Sequence, residues 1–84
     1  MFQVYIIESL STKKWYYGHT NDLKRRLLEH NAGKNISTKQ RGPWNYVFNG
    51  PVSTLTEAVE FEKYLKRTRN KDYIKSKYSQ YFIS

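Results

Sequence analysis

Residues 15–31 read Trp15-Tyr16-Tyr17-Gly18-His19-Thr20-Asn21-Asp22-Leu23-Lys24-Arg25-Arg26-Leu27-Leu28-Glu29-His30-Asn31, and this stretch decides the fold. Its consecutive aromatics pack best on a pleated surface and predict a strand. Gly18 is expected to turn the backbone sharply, with no Cβ in the way. Thr20 or Asn21 then caps the first orphan N–H groups of a helix, whose positive end Asp22 complements. On that helix Leu23 and Leu27 form an apolar stripe. Arg26 and His30, four residues apart, share a ridge beside it, and Arg25 falls on the wet side. The ridge should therefore look toward the strand carrying Tyr16, at the margin of the core. A basic pair held against tyrosines points to phosphate chemistry.

Upstream, Phe2-Gln3-Val4-Tyr5-Ile6-Ile7-Glu8 is rich in β-formers, with Phe2, Val4 and Ile6 on one face and Gln3, Tyr5 and Ile7 on the other. A polar connector, Ser9 to Lys13, has hairpin length, so the two strands should run antiparallel and bring Tyr5 near Tyr16. Downstream, Gly33 is a helix stop. A polar, basic loop over 34–43 follows, and Trp44 to Asn49 forms a third strand closed by Gly50-Pro51.

Thr54-Leu55-Thr56-Glu57 fits a capping box and opens a second helix with the apolar stripe Leu55, Ala58, Phe61 and Leu65. Glu62 falls inside that stripe, whereas Glu57 and Glu60 point away. A carboxylate turned inward is costly unless something pairs with it. Two readings are open: a structural glutamate salt-bridged to Arg26, or a metal ligand or acid/base group. A last helix over roughly 71–80 is expected to turn Tyr73, Ile74 and Tyr78 inward and Lys75 and Lys77 outward. The order β-β-α-β-α-α gives an α+β domain spanning 1–84, a three-stranded antiparallel sheet flanked by helices.

Composition narrows the function. Fifteen Lys+Arg against seven Asp+Glu give a formal charge of +8 on 84 residues, which favours polyanions and nucleic acid first. The cations assigned to that footprint are Lys24, Lys34, Lys39, Arg41, Lys66 and Arg67. The chain has no cysteine, hence neither disulfide nor thiolate metal site. No apolar run approaches the ~20 residues of a membrane span, and no signal-peptide pattern opens the chain, so a cytoplasmic protein is expected, with a monomer favoured. His19 and His30 lack the partners of a zinc site. The four glycines are scattered and build no phosphate-cradling loop. Phosphodiester hydrolysis, by contrast, needs an activated water, neutralisation of the phosphate and help for the departing oxygen. Glu62 suits one Mg²⁺ (or Mn²⁺) that keeps waters and phosphate oxygens as its other ligands. Arg26 can brace the phosphate, while His30, Tyr5 and Tyr16 orient water or relay a proton.

In this arrangement the chain resembles the GIY-YIG nuclease family, in particular its small free-standing members related to the nuclease domain of the excinuclease subunit that makes the first incision. YYGHTNDLKRRLLEHNAGK carries most of the likeness, with STKQRGPW and TEAVEFEKYLKR adding to it over residues 2 to about 75. The resemblance implies a metal-dependent endonuclease acting on DNA, with a place in DNA repair. It assigns Tyr5 and Tyr16 to positioning or activating water, Arg26 to steadying the transition-state phosphate, His30 to a polar site one turn later, and Glu62 to holding the single cation. Gln3 replaces the first glycine and Tyr17 the usual aliphatic residue. Asn70 lies too near Glu62 to match the family's asparagine and is left unassigned. The rival readings are a nucleic-acid-binding domain with weak or no cutting, and a protein-interaction module whose charge confers solubility.

Overall fold

A computed structural model describes residues 1–83. The first strand, β1 (Phe2–Ser9), is the middle of a three-stranded antiparallel sheet, between β2 (Trp15–Thr20) and β3 (Trp44–Val52). Helix α1 (Leu23–Asn31) follows β2; α2 (Leu55–Thr68), α3 (Lys71–Lys77) and a 3₁₀ turn (Ser79–Tyr81) follow β3. This is the α+β order that the sequence predicts.

Helices cover both faces of the sheet, and so β1 is apolar on both. Val4 and Ile6 are fully buried with Phe48, Ala58, Leu65 and Ile74 on the α2 side. Tyr5 and Ile7 are fully buried on the opposite side, with Trp44, Leu23, Leu27 and Tyr46. Successive side chains of a strand point to opposite faces, and so one strand supplies the centre of both clusters. The register sets Tyr5 opposite Gly18 and Ile7 opposite Tyr16.

Several local expectations are corrected. Gly18 does not turn the chain: β2 continues through it to Thr20. Its missing side chain makes room instead, because a Cβ there would lie 2.5 Å from Tyr5 Cζ and closer still to the hydroxyl. The α1 cap is Asp22, whose carboxylate accepts from the Arg25 N–H at 3.0 Å; Thr20 accepts from the Asp22 N–H, one step earlier. Gly50-Pro51 does not close β3, which runs on to Val52. Proline is tolerated because β3 is an edge strand that needs no outward donor. Tyr73 is 43% exposed on an α3 that ends at Lys77, and Leu55 is 50% exposed in the first turn of α2; Ile74 alone of α3 is buried.

The stop and start signals behave as their chemistry requires. Gly33 takes φ +78°, and the N–H groups of Gly33 and Lys34 return to the carbonyls of His30 and Glu29 in a Schellman closure. Thr54 and Glu57 make the reciprocal capping box. Asn70 caps α3 by accepting from the Tyr73 N–H at 3.0 Å.

Adding a methyl group where Tyr5 already fills the space should destabilise the fold. Gly18→Ala is expected to cost about 1–3 kcal/mol, read as a lower thermal midpoint by circular dichroism; an unchanged midpoint would contradict the seating of Tyr5 under Gly18.

Candidate active site

Gly18 lies in an edge strand, and there the two faces of the sheet meet at one cavity of about 260 Å³. Tyr5, Tyr16 and Arg26 line it from the α1 side, and His19 and Glu62 from the α2 side. Alternation along β2 makes this arrangement, since His19 and Tyr16 point to opposite faces and only a residue without a side chain leaves the edge between them open.

Tyr5 is fully buried, and its hydroxyl is held from two directions. Arg26 Nε donates to it at 3.2 Å, and it lies 2.8 Å from His30 Nε2. His30 is 1% exposed, and its Nδ1 is 2.8 Å from Thr38 Oγ1, which itself donates to the Asn35 carbonyl at 3.4 Å. With an uncharged imidazole, one arrangement of protons satisfies all of these contacts. Tyr5 donates to Nε2, Nδ1–H donates to Thr38, and the proton of the threonine goes to Asn35. In that arrangement the neutral His30 carries its proton on Nδ1. Burial, reinforced by the Arg26 charge, pushes its pKa down to about 4. Burial also raises the Tyr5 phenol above its ordinary range, against the opposing pull of Arg26. Arg26 remains a cation: burial works against its charge, but acceptance by Tyr5 and Glu29 more than offsets that. Its Nη1 donates to Glu29 at 3.0 Å, which leaves Nη2 without a protein partner among the described residues.

Across the cavity, the Glu62 side chain is 15% exposed and both of its oxygens are engaged. His19 Nδ1 is 2.6 Å from Oε1, and Lys66 Nζ is 2.6 Å from Oε2. The expected partner Arg26 does not pair with it. The inward position predicted for Glu62 is met, with other partners. His19 was weighed in the sequence only as a zinc ligand; its alignment with Glu62 depends on how α2 packs on β2, and no spacing in the chain signals it.

The other site residues named from the sequence divide clearly. Tyr16 lines the cavity, its ring 5.2 Å from that of His30, and its hydroxyl has no protein partner among the described residues. His30 does not line the cavity but stands behind Tyr5. Lys24, Lys34, Lys39, Arg41 and Arg67 are exposed and lie outside the cavity, whereas Lys66 touches Glu62 from its rim. Asn70 is spent on its cap.

Among the described residues no group of three or more His, Asp or Glu side chains could hold a metal ion. One carboxylate facing a polar cavity suits a hard divalent cation that keeps most of its ligands as water, and not a zinc ion.

The family model of the GIY-YIG catalytic domain matches residues 1–79. The chain belongs to the GIY-YIG nuclease-domain family. Among its relatives, the UPF0213 protein YazA of Bacillus subtilis is 43% identical over 58 residues, covering 68% of this chain and 59% of that protein. A UPF0213 protein of Halalkalibacterium halodurans is 33% identical over 82 residues, 93% of this chain and 86% of its own. A structure-specific endonuclease subunit SLX1 homolog of Giardia intestinalis is 43% identical over 58 residues, 64% of this chain but 16% of that larger protein. The aligned stretch thus spans about three fifths of YazA and a small part of the SLX1 homolog. No solved structure matches the chain. Among the described residues no helix is long and apolar enough to cross a membrane.

The neutral, buried His30 of this GIY-YIG domain has a pH signature. Its folded pKa of about 4 lies below the ordinary 6.5, so the stability it confers is complete above 6.5 and is lost as pH falls toward 4. Between pH 7 and pH 5 the chain should lose on the order of 2 kcal/mol more than His30→Asn does, measured by urea unfolding at both values; equal losses would contradict a neutral His30.

Proposed function

We propose that residues 1–84 act as one domain, a divalent-metal-dependent endonuclease that hydrolyses phosphodiester bonds in DNA. The observation that carries this reading is the convergence of Tyr16, Arg26 and Glu62 on one open cavity beside Gly18. A purely structural role for these residues would not require a guanidinium edge, a phenol and a carboxylate to face the same solvent-filled space. Membership of the GIY-YIG family and the similarity to a structure-specific endonuclease subunit support it.

Glu62 would hold the metal, with its exposed partner Lys66 yielding Oε2 and water and phosphate oxygens completing the shell. Mg²⁺ or Mn²⁺ at that position would neutralise charge on the phosphate and favour the hydroxide form of a bound water. Arg26 is fixed by Tyr5 and Glu29 with Nη2 turned free, so it binds a phosphate oxygen without having to be ordered first. Tyr16 offers its unpartnered hydroxyl to orient the attacking water. Tyr5 is less suited to accept a proton: its own proton is committed to His30, and its pKa is raised. It acts by aiming Arg26. His30 and Thr38 in turn fix Tyr5, which makes His30 a positioning residue. Hydrolysis adds the water oxygen to phosphorus and leaves a proton on the departing oxygen.

The exposed cations Lys24, Lys34, Lys39, Arg41 and Arg67 would meet the nucleic-acid backbone in a salt-sensitive, sequence-independent way. The alternative is a nucleic-acid-binding domain without cutting activity. It draws on one observation, the double ion pairing of Glu62, which is what a structural glutamate would show.

Plasmid nicking separates the two. The protein should nick supercoiled DNA with Mg²⁺ or Mn²⁺ and stop on adding EDTA, and Glu62→Gln should lower the rate by ~100-fold or more while salt-sensitive DNA binding persists. Nicking by the variant at the original rate would overturn this assignment, and binding without any nicking would favour the alternative.

A further inference from the structure

The two partners of the Glu62 carboxylate are not equivalent. Lys66 stands four residues further along the same helix with its side chain exposed, and its pairing with Oε2 is a surface ion pair of the weak kind. His19 comes from a different element. It lies on β2 beside Gly18, opposite Val4 of the central strand, and its Nδ1 is 2.6 Å from Oε1. An ionised carboxylate can only accept, so Nδ1 carries a proton and donates it.

The nuclease reading treats the two partners differently. A cation held at Oε2 replaces the Lys66 ammonium, because both are positive and claim the same oxygen. His19 bonds the other oxygen and stays. Among the described residues it is then the one hydrogen-bond partner that the Glu62 side chain keeps. A glutamate on a helix otherwise turns about several single bonds, and fixing them at the moment of binding costs affinity. The sheet adds a second consequence. Tyr16, three residues before His19 on β2, lines the same cavity from the other face. Tyr5, which aims Arg26, lies opposite Gly18. The guanidinium, the phenol and the carboxylate are thus all referred to adjoining positions of β1 and β2, the carboxylate through His19.

We infer that His19 is a positioning residue for the metal ligand: its Nδ1–H fixes Oε1 of Glu62, so that Oε2 is already aimed when Lys66 gives it up. This rests on the nuclease reading and adds a residue that acts through Glu62. A donated hydrogen bond also draws some charge from the carboxylate, which by itself would loosen its hold on a cation. Ordering outweighs that effect, since the hydrogen-bonded supports of metal ligands are typically worth about 10–100-fold in metal affinity.

The test is Mg²⁺ binding by the full chain without DNA, followed by the NMR shift of the Glu62 backbone amide, with circular dichroism to show that each variant is folded. His19→Ala should bind Mg²⁺ about 10-fold more weakly. His19→Asn loses the ring but keeps an N–H on the same branch as Nδ1, and should recover most of that loss. A ring that merely filled space would make the two variants fall together. Lys66→Ala removes the competing ammonium and should bind Mg²⁺ at least as tightly as the unaltered protein. Unchanged affinity in His19→Ala would overturn the inference, as would equal losses in His19→Ala and His19→Asn, or a loss in Lys66→Ala as large as that in His19→Ala. Failure of the nuclease reading looks different. Glu62→Gln binding Mg²⁺ as tightly as the unaltered protein would remove the metal site and the inference with it, whereas affinity that depends on His19 without plasmid nicking would sink only the cutting.

Discussion

The Tyr5 hydroxyl has one proton, and its destination orders the rest of the site. Arg26 Nε–H already points at the phenol oxygen, and with His30 uncharged the phenol donates to His30, His30 to Thr38, and Thr38 to a backbone carbonyl. Such a chain is costly to bury if any member is left unsatisfied, and it is rigid when none is. Among the described residues no buried side-chain nitrogen or oxygen lacks a partner. The chain ties the central strand, helix α1 and the loop over 34–43 into one unit. Gly18 is its steric condition, since a methyl group there would push the phenol away from Arg26 and His30.

Around that chain the charges separate across an edge strand. A guanidinium whose charge is secured by two acceptors faces the cavity from the α1 side, and a carboxylate faces it from the α2 side. The +8 formal charge of the chain as a whole favours polyanions, and the proposed cleavage would set one of their phosphates beside a guanidinium edge, a carboxylate and a phenol hydroxyl that line one cavity. Lys66 occupies the remaining carboxylate oxygen of Glu62. As an exposed side chain one helical turn away it holds the acid in place and exchanges readily with solvent cations, because such pairs are weak.

Much of this could be read from the sequence, and the part that could not has a physical reason. The strands, both long helices, the Gly33 stop and the Thr54–Glu57 box follow from periodicity and capping chemistry, which are local. The ridge carrying Arg26 and His30 was legible because helical geometry fixes its direction relative to Leu23 and Leu27, and it does meet the tyrosine-bearing strands. The role of Gly18 was not legible, because a glycine that makes a turn and one that makes room look alike until strand register is known. The partners of Glu62 were missed for the same kind of reason: His19 reaches it only through the packing of α2 on β2, at a sequence separation of 43. Helical spacing alone puts Tyr73 and Leu55 inward, yet each lies in the first turn of its helix and is exposed.

The direction of the proton chain is the claim on which the positions of Tyr5 and Arg26 depend, and it can be observed directly. A long-range proton–nitrogen NMR spectrum of the ¹⁵N-histidine-labelled protein at neutral pH should show His30 uncharged, with its proton on Nδ1 and Nε2 as the acceptor. A His30 signal with the proton on Nε2, or a doubly protonated ring, would contradict the account.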